Sequence, residues 1–438
     1  MFKTSKLTQI NKLFKNSFLN DLLAGLTTAF PAIALGAAFG IESGRGVFAG
    51  IIAASIIPII TSIFGGTRIQ ASGPTAPTSA VSSILILFAY QEFGKNSEIA
   101  EQLITLTILL TSLFLILSGI LKLGNYISLI PQVVIIGFMN GISFLIWKSQ
   151  FNSLKNLEGD FWINLIFATV TFFSILFFPK ILSLLKLPDK FKLFLPGTLI
   201  IIILMTAIFI FSGADLQKVS LESNISSPID IFSLPQKYIP TKVLNLESFK
   251  IALPFALQLT MLAYLDSLLT ALVMDKNLKE KSNKNRELMA QGLANGVASI
   301  FGGIPGAQAT IRSVMLHKEG AKTRLAGVFV GIFVFFGIFV FKDLITLVAT
   351  SIFTGILLKT GLDVFEQDYF IHFVKNQGWK KRNFLIQMAF VIYTTLITLF
   401  VDLNIAVLSA TAGFLLMQKF LKIEDISETQ ETFSEDEA

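Results

Sequence analysis

The chain has 438 residues, 53% of them hydrophobic and only 15% charged, with 43 Phe, a balance too apolar for a soluble domain whose surface faces water. The formal charge of +6 does not point to nucleic acid, because Lys and Arg gather in a few short loops, as membrane orientation requires. With no Cys and two His there is no disulfide framework, no thiolate chemistry and too few imidazoles for a multi-histidine metal site.

Residues 1–19 carry Lys3, Lys6, Lys12 and Lys15 but no apolar core followed by a small-residue cleavage site. They read as a retained cytoplasmic amphipathic leader rather than a signal peptide. From there the chain repeats stretches of about 20 apolar residues, the length that spans a bilayer as a helix. Runs such as Leu199 to Phe211 are apolar all round, which excludes the alternating strands of an outer-membrane barrel. The expected helices are 20–40, 46–64, 74–90, 102–121, 128–147, 161–184, 195–212, 250–274, 286–301, 306–316, 323–341, 343–360, 383–400 and 402–421. The fold class is thus an all-α polytopic membrane protein with fourteen transmembrane segments.

With the leader inside, the inner connections hold Lys186, Lys190 and Lys192, then Lys276, Lys279, Lys281, Lys284 and Arg286. Further inner connections hold Lys318, Lys322 and Arg324, then Lys375, Lys380, Lys381 and Arg382. The outer loops are mixed or acidic, as in Glu92 to Glu101. This bias, with an even number of spans, places both termini in the cytoplasm of a cell whose inner (plasma) membrane holds the protein.

One pentapeptide occurs twice, as Ser62-Ile63-Phe64-Gly65-Gly66 and as Ser299-Ile300-Phe301-Gly302-Gly303, 237 residues apart. A short segment opening on Gly and Pro follows each copy, at Ser72-Gly73-Pro74 and at Pro305-Gly306-Ala307. The pattern reads as an internal duplication, against coincidental packing glycines. The first seven-helix repeat is 20–212, an extracytoplasmic loop is 213–249, the second repeat is 250–422 and an acidic tail is 423–438. Seven helices per repeat force the halves to be inverted, and paired interrupted helices at matching places mark a transporter's binding site. The third and tenth segments are therefore expected as half-helices meeting at the midplane, and the alternative is a pair of kinked helices packed through small residues.

Non-helical backbone at membrane depth is tolerated only where protein buries it or it lines a cavity. Two half-helix N-termini facing each other would offer free N–H groups and positive dipole ends to an anion, with Thr75 and Thr310 adding hydroxyl donors. Asp266 lies inside the apolar run Ile251 to Met274 and needs a partner. Thr270, four residues on, shares its helix face. With the unwound carbonyls near Ala309 these groups suit a sodium ion, or the carboxylate alone suits a proton; the structural alternative pairs Asp266 with Arg312. Arg312 itself either complements an anion or lies at the cytoplasmic rim. Glu42, Arg45 and Asp402 fall at outer helix ends and read as solvated anchors, and Trp147 as an interfacial one. No Walker loop, no GxSxG elbow and no metal-binding His motif is present, so no enzyme is expected.

Ser72-Gly73-Pro74-Thr75-Ala76-Pro77, Asp266-Ser267-Leu268-Leu269-Thr270, Asn285-Arg286-Glu287-Leu288 with Gln291-Gly292, and Gly302-Gly303-Ile304-Pro305-Gly306-Ala307 resemble the SulP (sulfate permease) family. The resemblance runs from about Asp21 to Lys422 and is most specific between Asp266 and Arg312. It implies fourteen helices in a 7+7 inverted repeat, a core domain moving against a gate domain, and a homodimer. An Asp and Thr at the positions of Asp266 and Thr270 are similar to the sodium-dependent bicarbonate branch. That similarity implies sodium at Asp266, Thr270, Gln308, Ala309 and Thr310, and the anion at Thr75, Ala76, Thr270 and Thr310, with Arg312 added from the reading above.

Gln308 departs from the Gly common in that branch, and its longer side chain either narrows the anion pocket or supplies a ligand. Family members usually append a cytoplasmic STAS domain, whereas the tail from Ile423 to Ala438 is short and acidic, so STAS-dependent regulation is expected to be absent from this chain. The resulting expectation is a secondary active transporter of a small inorganic anion, with bicarbonate ahead of sulfate and no cofactor beyond Na+ as coupling ion. The alternatives are a carrier of sulfate or dicarboxylate that is proton-coupled or exchanging, and an anion channel on the same scaffold.

Overall fold

The computed structural model describes residues 2–95, 97–184, 197–219, 227–375, 382–401 and 403–421. Lys186, Lys190, Lys192, Lys380, Lys381, Asp402 and the acidic tail 423–438 lie outside the described residues. In chain order the helices are α1 (Phe2–Ser43), α2 (Val47–Phe64), α3 (Ala76–Phe93), α4 (Glu98–Ile120), α5 (Gln132–Asn156), α6 (Phe161–Leu184) and α7 (Gly197–Ser212). After the short α8 (Leu234–Tyr238) come α9 (Leu246–Leu278), α10 (Lys284–Ile300), α11 (Thr310–Lys318), α12 (Leu325–Ile345), α13 (Thr350–Val364), α14 (Gln367–Lys375), α15 (Arg382–Phe400) and α16 (Leu403–Leu421). Among the described residues nine helices are long and apolar enough to cross a membrane, so the chain is a multi-pass helical membrane protein. Helices serve here because each satisfies its own backbone hydrogen bonds where no water can.

The helices expected from 74 and 306 begin instead at Ala76 and Thr310. The residues just before them, Ser72–Gly73 and Ala307–Gln308, pair as a two-stranded antiparallel ladder, β1 with β2. The third helix is also not short: it runs 18 residues, whereas α11 has 9. The helix expected at 343–360 lies at Thr350–Val364. Between α12 and α13 the main chain bonds to the segment that follows α7, Val219 donating to Val348 O at 2.9 Å and Thr350 to Gln217 O at 2.9 Å. These contacts break a run whose apolarity carries no mark of a break.

The chain divides into two compact units. The first, Met1–Gly124 with Asn152–Leu357, is packed through small residues that let helix backbones approach closely. Gly292 and Gly296 of α10 lie on Ser112 of α4, and the Ser112 hydroxyl donates to Gly292 O at 2.6 Å. Gly25 lies against α12 at Ala326 and Phe329, and Gly327 of α12 against Ser62 of α2. The second unit is Asn125–Phe151 with Leu358–Ala438. There Gly137 and Gly141 of α5 receive α15 at Val391 and Thr398. Trp147, expected as an interfacial anchor, is tied inside this unit: its indole donates to Leu358 O at 3.1 Å and its ring packs on Phe365 at 5.8 Å.

Candidate functional site

The site forms where the chain stops being helical twice. After α2 the chain leaves the helix at Gly65, bends through 66–69 and reaches Thr75 by way of β1, and after α10 it runs non-helical from Gly303 to Ala309 through β2. The two stretches cross, with Ser72 opposite Gln308 and Gly73 opposite Ala307. Gly73 has φ +148, and a Cβ there would meet the Arg312 guanidinium at 2.9 Å. Gly306 lies so close to the Gly73 carbonyl and to Pro74 that a Cβ has no room. Glycine is needed at both positions for close backbone approach.

Each stretch is short of backbone partners and is held by side chains instead. Asn295 of α10 accepts from Gly306 N at 2.7 Å and donates to Gly306 O at 3.0 Å, in place of a neighbouring strand. Ser267 of α9 accepts from Gln308 N at 3.2 Å, and Ser313 of α11 from Ala71 N at 3.1 Å. Arg324 donates to the carbonyls of Ser62, Gly65 and Thr67, while Glu287 accepts from Gly66 N at 2.8 Å and Thr67 N at 2.9 Å.

On this frame the residues singled out in the sequence come together. Thr75 caps α3 and Ala76 is its first residue; Ala309 caps α11 and Thr310 is its first residue. The Thr270 hydroxyl donates to Gln308 O at 3.0 Å and lies 2.5 Å from the Thr310 hydroxyl. Asp266 is on the same face of α9. The Thr75 side chain and the Arg312 guanidinium are the polar groups acting on its carboxylate, and Oδ2 is buried without a hydrogen-bond partner among the described residues. Arg312 is 2% exposed and donates through Nη2 to Pro74 O at 2.7 Å, with Nη1 unpartnered. The cytoplasmic-rim reading of Arg312 is thereby corrected: its guanidinium braces the turn ahead of α3. The Gln308 side chain meets Thr67 at 3.4 Å, so of its two polar ends it is the main-chain carbonyl that faces Thr270.

Chemically, two hydroxyls and a main-chain carbonyl meet at the N-terminus of α11, and a carboxylate one turn away on α9 stands with Thr75, the cap of α3. Oxygen donors of this kind suit a hard cation, and free N–H groups with a positive dipole end suit a small anion.

Several functional-looking residues escaped the sequence reading. Thr78 joins both crossing stretches, accepting from Thr75 N at 3.2 Å and donating to Pro305 O at 3.2 Å. Arg45 and Glu42, read as solvated anchors, are 9% and 6% exposed. Arg45 is buried because it forks onto Glu101 Oε2 at 3.0 and 2.9 Å and reaches Gly303 O at 3.0 Å. Tyr90 donates to the other Glu101 oxygen at 2.7 Å, and the Tyr238 ring lies over the guanidinium at 4.9 Å. Both Glu42 carboxylate oxygens lack a partner among the described residues. The only forewarning was Gly on either side of Arg45, which marks a tight turn that can be folded inward.

Comparison with known proteins follows the same geometry. The sequence profile of the Sulfate permease family matches residues 18–391. The chain is 28% identical to the bicarbonate transporter BicA of Picosynechococcus sp. over 421 residues, covering 91% of this chain and 70% of that protein. It is 29% identical to the putative sulfate transporter YbaR of Bacillus subtilis over 346 residues, covering 79% and 66%. The solved transmembrane domain of a cyanobacterial BicA superposes with a TM-score of 0.74 at 28% identity, covering 89% of this chain and 97% of that one.

Proposed function

This chain belongs to the sulfate permease family, and from that premise we propose that it is a sodium-coupled bicarbonate symporter working by alternating access. Anion transport, rather than catalysis, is the work of the family. Sodium contacts Asp266, Thr270, Thr310 and the main chain at Gln308 and Ala309; the anion contacts Thr75, Ala76, Thr270 and Thr310, with Arg312 behind them. One observation carries this reading: the buried Asp266 Oδ2, without a partner among the described residues, stands one helical turn from Thr270, whose hydroxyl meets the Gln308 carbonyl and the Thr310 hydroxyl at the start of α11.

A carboxylate in a membrane helix costs on the order of 2.5–3.5 kcal/mol even by lenient measures, and Thr75 and Arg312 leave Asp266 Oδ2 unpartnered. A bound sodium ion offsets what remains of that cost and completes the electrostatics of the two helix N-termini, so the anion binds more tightly with the cation present. Linkage makes the help reciprocal. Fourteen spans in a 7+7 inverted repeat, 20–212 and 250–422, belong to the same reading. So do a homodimer, an inner membrane and cytoplasmic termini. A reciprocal contact supports the repeat: Arg45, just ahead of α2, holds the second pentapeptide at Gly303 O, and Arg286, at the start of α10, holds the first at Phe64 O, 2.7 Å.

A second reading is a proton-coupled or exchanging carrier of sulfate or dicarboxylate. The similarity to the putative sulfate transporter favours it, and the free Asp266 oxygen suits a proton as well as sodium. Uptake of radiolabelled bicarbonate and sulfate into proteoliposomes, with an inward gradient of sodium or of choline at constant pH, separates the two. Sodium-stimulated bicarbonate uptake is expected, and uptake of sulfate alone, indifferent to sodium, would replace the first reading by the second.

A further inference from the structure

Gln308 belongs to two environments. Its main-chain carbonyl accepts from Thr270 Oγ1 at 3.0 Å and its N–H donates to Ser267 at 3.2 Å, next to Asp266. Its side chain enters a second polar cluster made with Thr67, Gln70, Ser72, Glu287 and Gln291, all 1% exposed or less. Glu287 is the centre of that cluster. It accepts from Gly66 N, Thr67 N and Gln70 Nε2 on one oxygen, at 2.8, 2.9 and 3.2 Å, and from Gln291 Nε2 on the other at 3.0 Å. Four N–H donors converge on it, and a carboxylate accepts such bonds on both oxygens.

From Glu287 the bonds run outward without a gap. Gln291 Nε2 also donates to Ser72 Oγ at 2.8 Å, Ser72 Oγ to Gln70 Oε1 at 3.2 Å, and Thr67 Oγ1 to Gln308 Oε1 at 3.4 Å. Ser72 and Gln308 are also the paired residues of the β1–β2 ladder. The carboxylate therefore holds the stretch leading into β1 directly, at Gly66 and Thr67, reaches Ser72 of β1 through Gln291, and reaches β2 through Thr67 and the Gln308 side chain. Gln308 Nε2 and Gln291 Oε1 are buried with no partner among the described residues, a cost that packing alone does not repay.

We propose that this cluster positions the ion-site oxygens, with Glu287 and Gln308 as positioning residues: the network fixes where the Gln308 carbonyl stands, and that carbonyl orients the Thr270 hydroxyl. The inference rests on the sodium-site reading above and deepens it. A group that only stabilised the fold would change melting temperature and maximal rate, leaving sodium affinity alone. A positioning group changes the affinity itself, as outer-shell partners of bound ions do.

The test compares Gln308→Met and Glu287→Gln with wild type, each as the full chain in proteoliposomes. Half-saturating sodium and maximal rate of bicarbonate uptake are measured, with melting temperature in choline as the folding check. Gln308→Met keeps the carbonyl and the bulk of the side chain and loses only its polar end, so it decides the matter if Glu287→Gln does not fold. The expected result is half-saturating sodium raised about tenfold or more in the folded variants. Wild-type half-saturation in folded Gln308→Met, or a loss of rate at unchanged half-saturation, overturns the inference while leaving the sodium site standing. Bicarbonate uptake by wild type that ignores sodium removes the underlying reading and this inference with it.

Discussion

Asp266 and Thr270 are one helical turn apart on α9 and share a face because residues four apart always do. With the Asp266 charge removed and its size kept, Asp266→Asn is expected to bring the ratio of bicarbonate uptake in sodium to that in choline down to unity. Retained sodium stimulation in a folded Asp266→Asn protein contradicts the assignment. These residues were legible in the sequence because a carboxylate in an apolar run must be paired or put to use. Glu287 was visible only as part of a motif, since it stands near the loop Lys279 to Arg286 and its partners are Gly66, Thr67 and Gln70, more than 200 positions earlier in the chain. Arg45 was misread for the same reason: Glu101 is 56 residues away and Gly303 is 258, distances over which hydropathy says nothing.

At the scale of elements, the crossing stretches are joined to helices by single side chains, and each join makes a stability prediction. Asn295→Ala orphans the N–H and the carbonyl of buried Gly306, which costs about 1–3 kcal/mol for each group left unsatisfied; a thermal or denaturant melt of the purified protein reads it. Arg45 and Glu101 form a buried ion pair, and removing one partner strands the other's charge at a cost of about 3–5 kcal/mol. The double variant Arg45→Met with Glu101→Met is therefore expected to be more stable than Arg45→Met alone, and a simple sum of the two single losses contradicts the pairing. Gly306→Ala is expected to abolish uptake, since its Cβ would run into Gly73 where the stretches cross. Gly and Pro announced both crossings in the sequence, because few other residues explain such punctuation at membrane depth. The β1–β2 ladder itself was not legible, two residues per strand being too short for any alternation to register. The displaced start of α13 was hidden likewise, because the bonds that break the run come from Gln217 and Val219.

At the scale of the whole molecule, the proposed number of crossings and the proposed orientation rest on the apolar spans and on the basic loops between them. The absence of Cys makes that orientation directly measurable. Single cysteines at exposed Lys281 and exposed Gln236 are expected to react with an impermeant maleimide only from the cytoplasmic side and only from the outer side respectively. Labelling of both from one face contradicts the topology. The multi-pass helical class was readable because the bilayer imposes length rules on every span. Coupling was not, because it depends on which oxygens converge in space.

Coupling is also where the account is most exposed. Radiolabelled sodium entry into proteoliposomes, driven by an inward bicarbonate gradient at clamped pH and without any sodium gradient, tests it directly. If the two ions complete one another's site, bicarbonate draws sodium in and Asp266→Asn does not allow it. Bicarbonate that enters while sodium stays out contradicts symport.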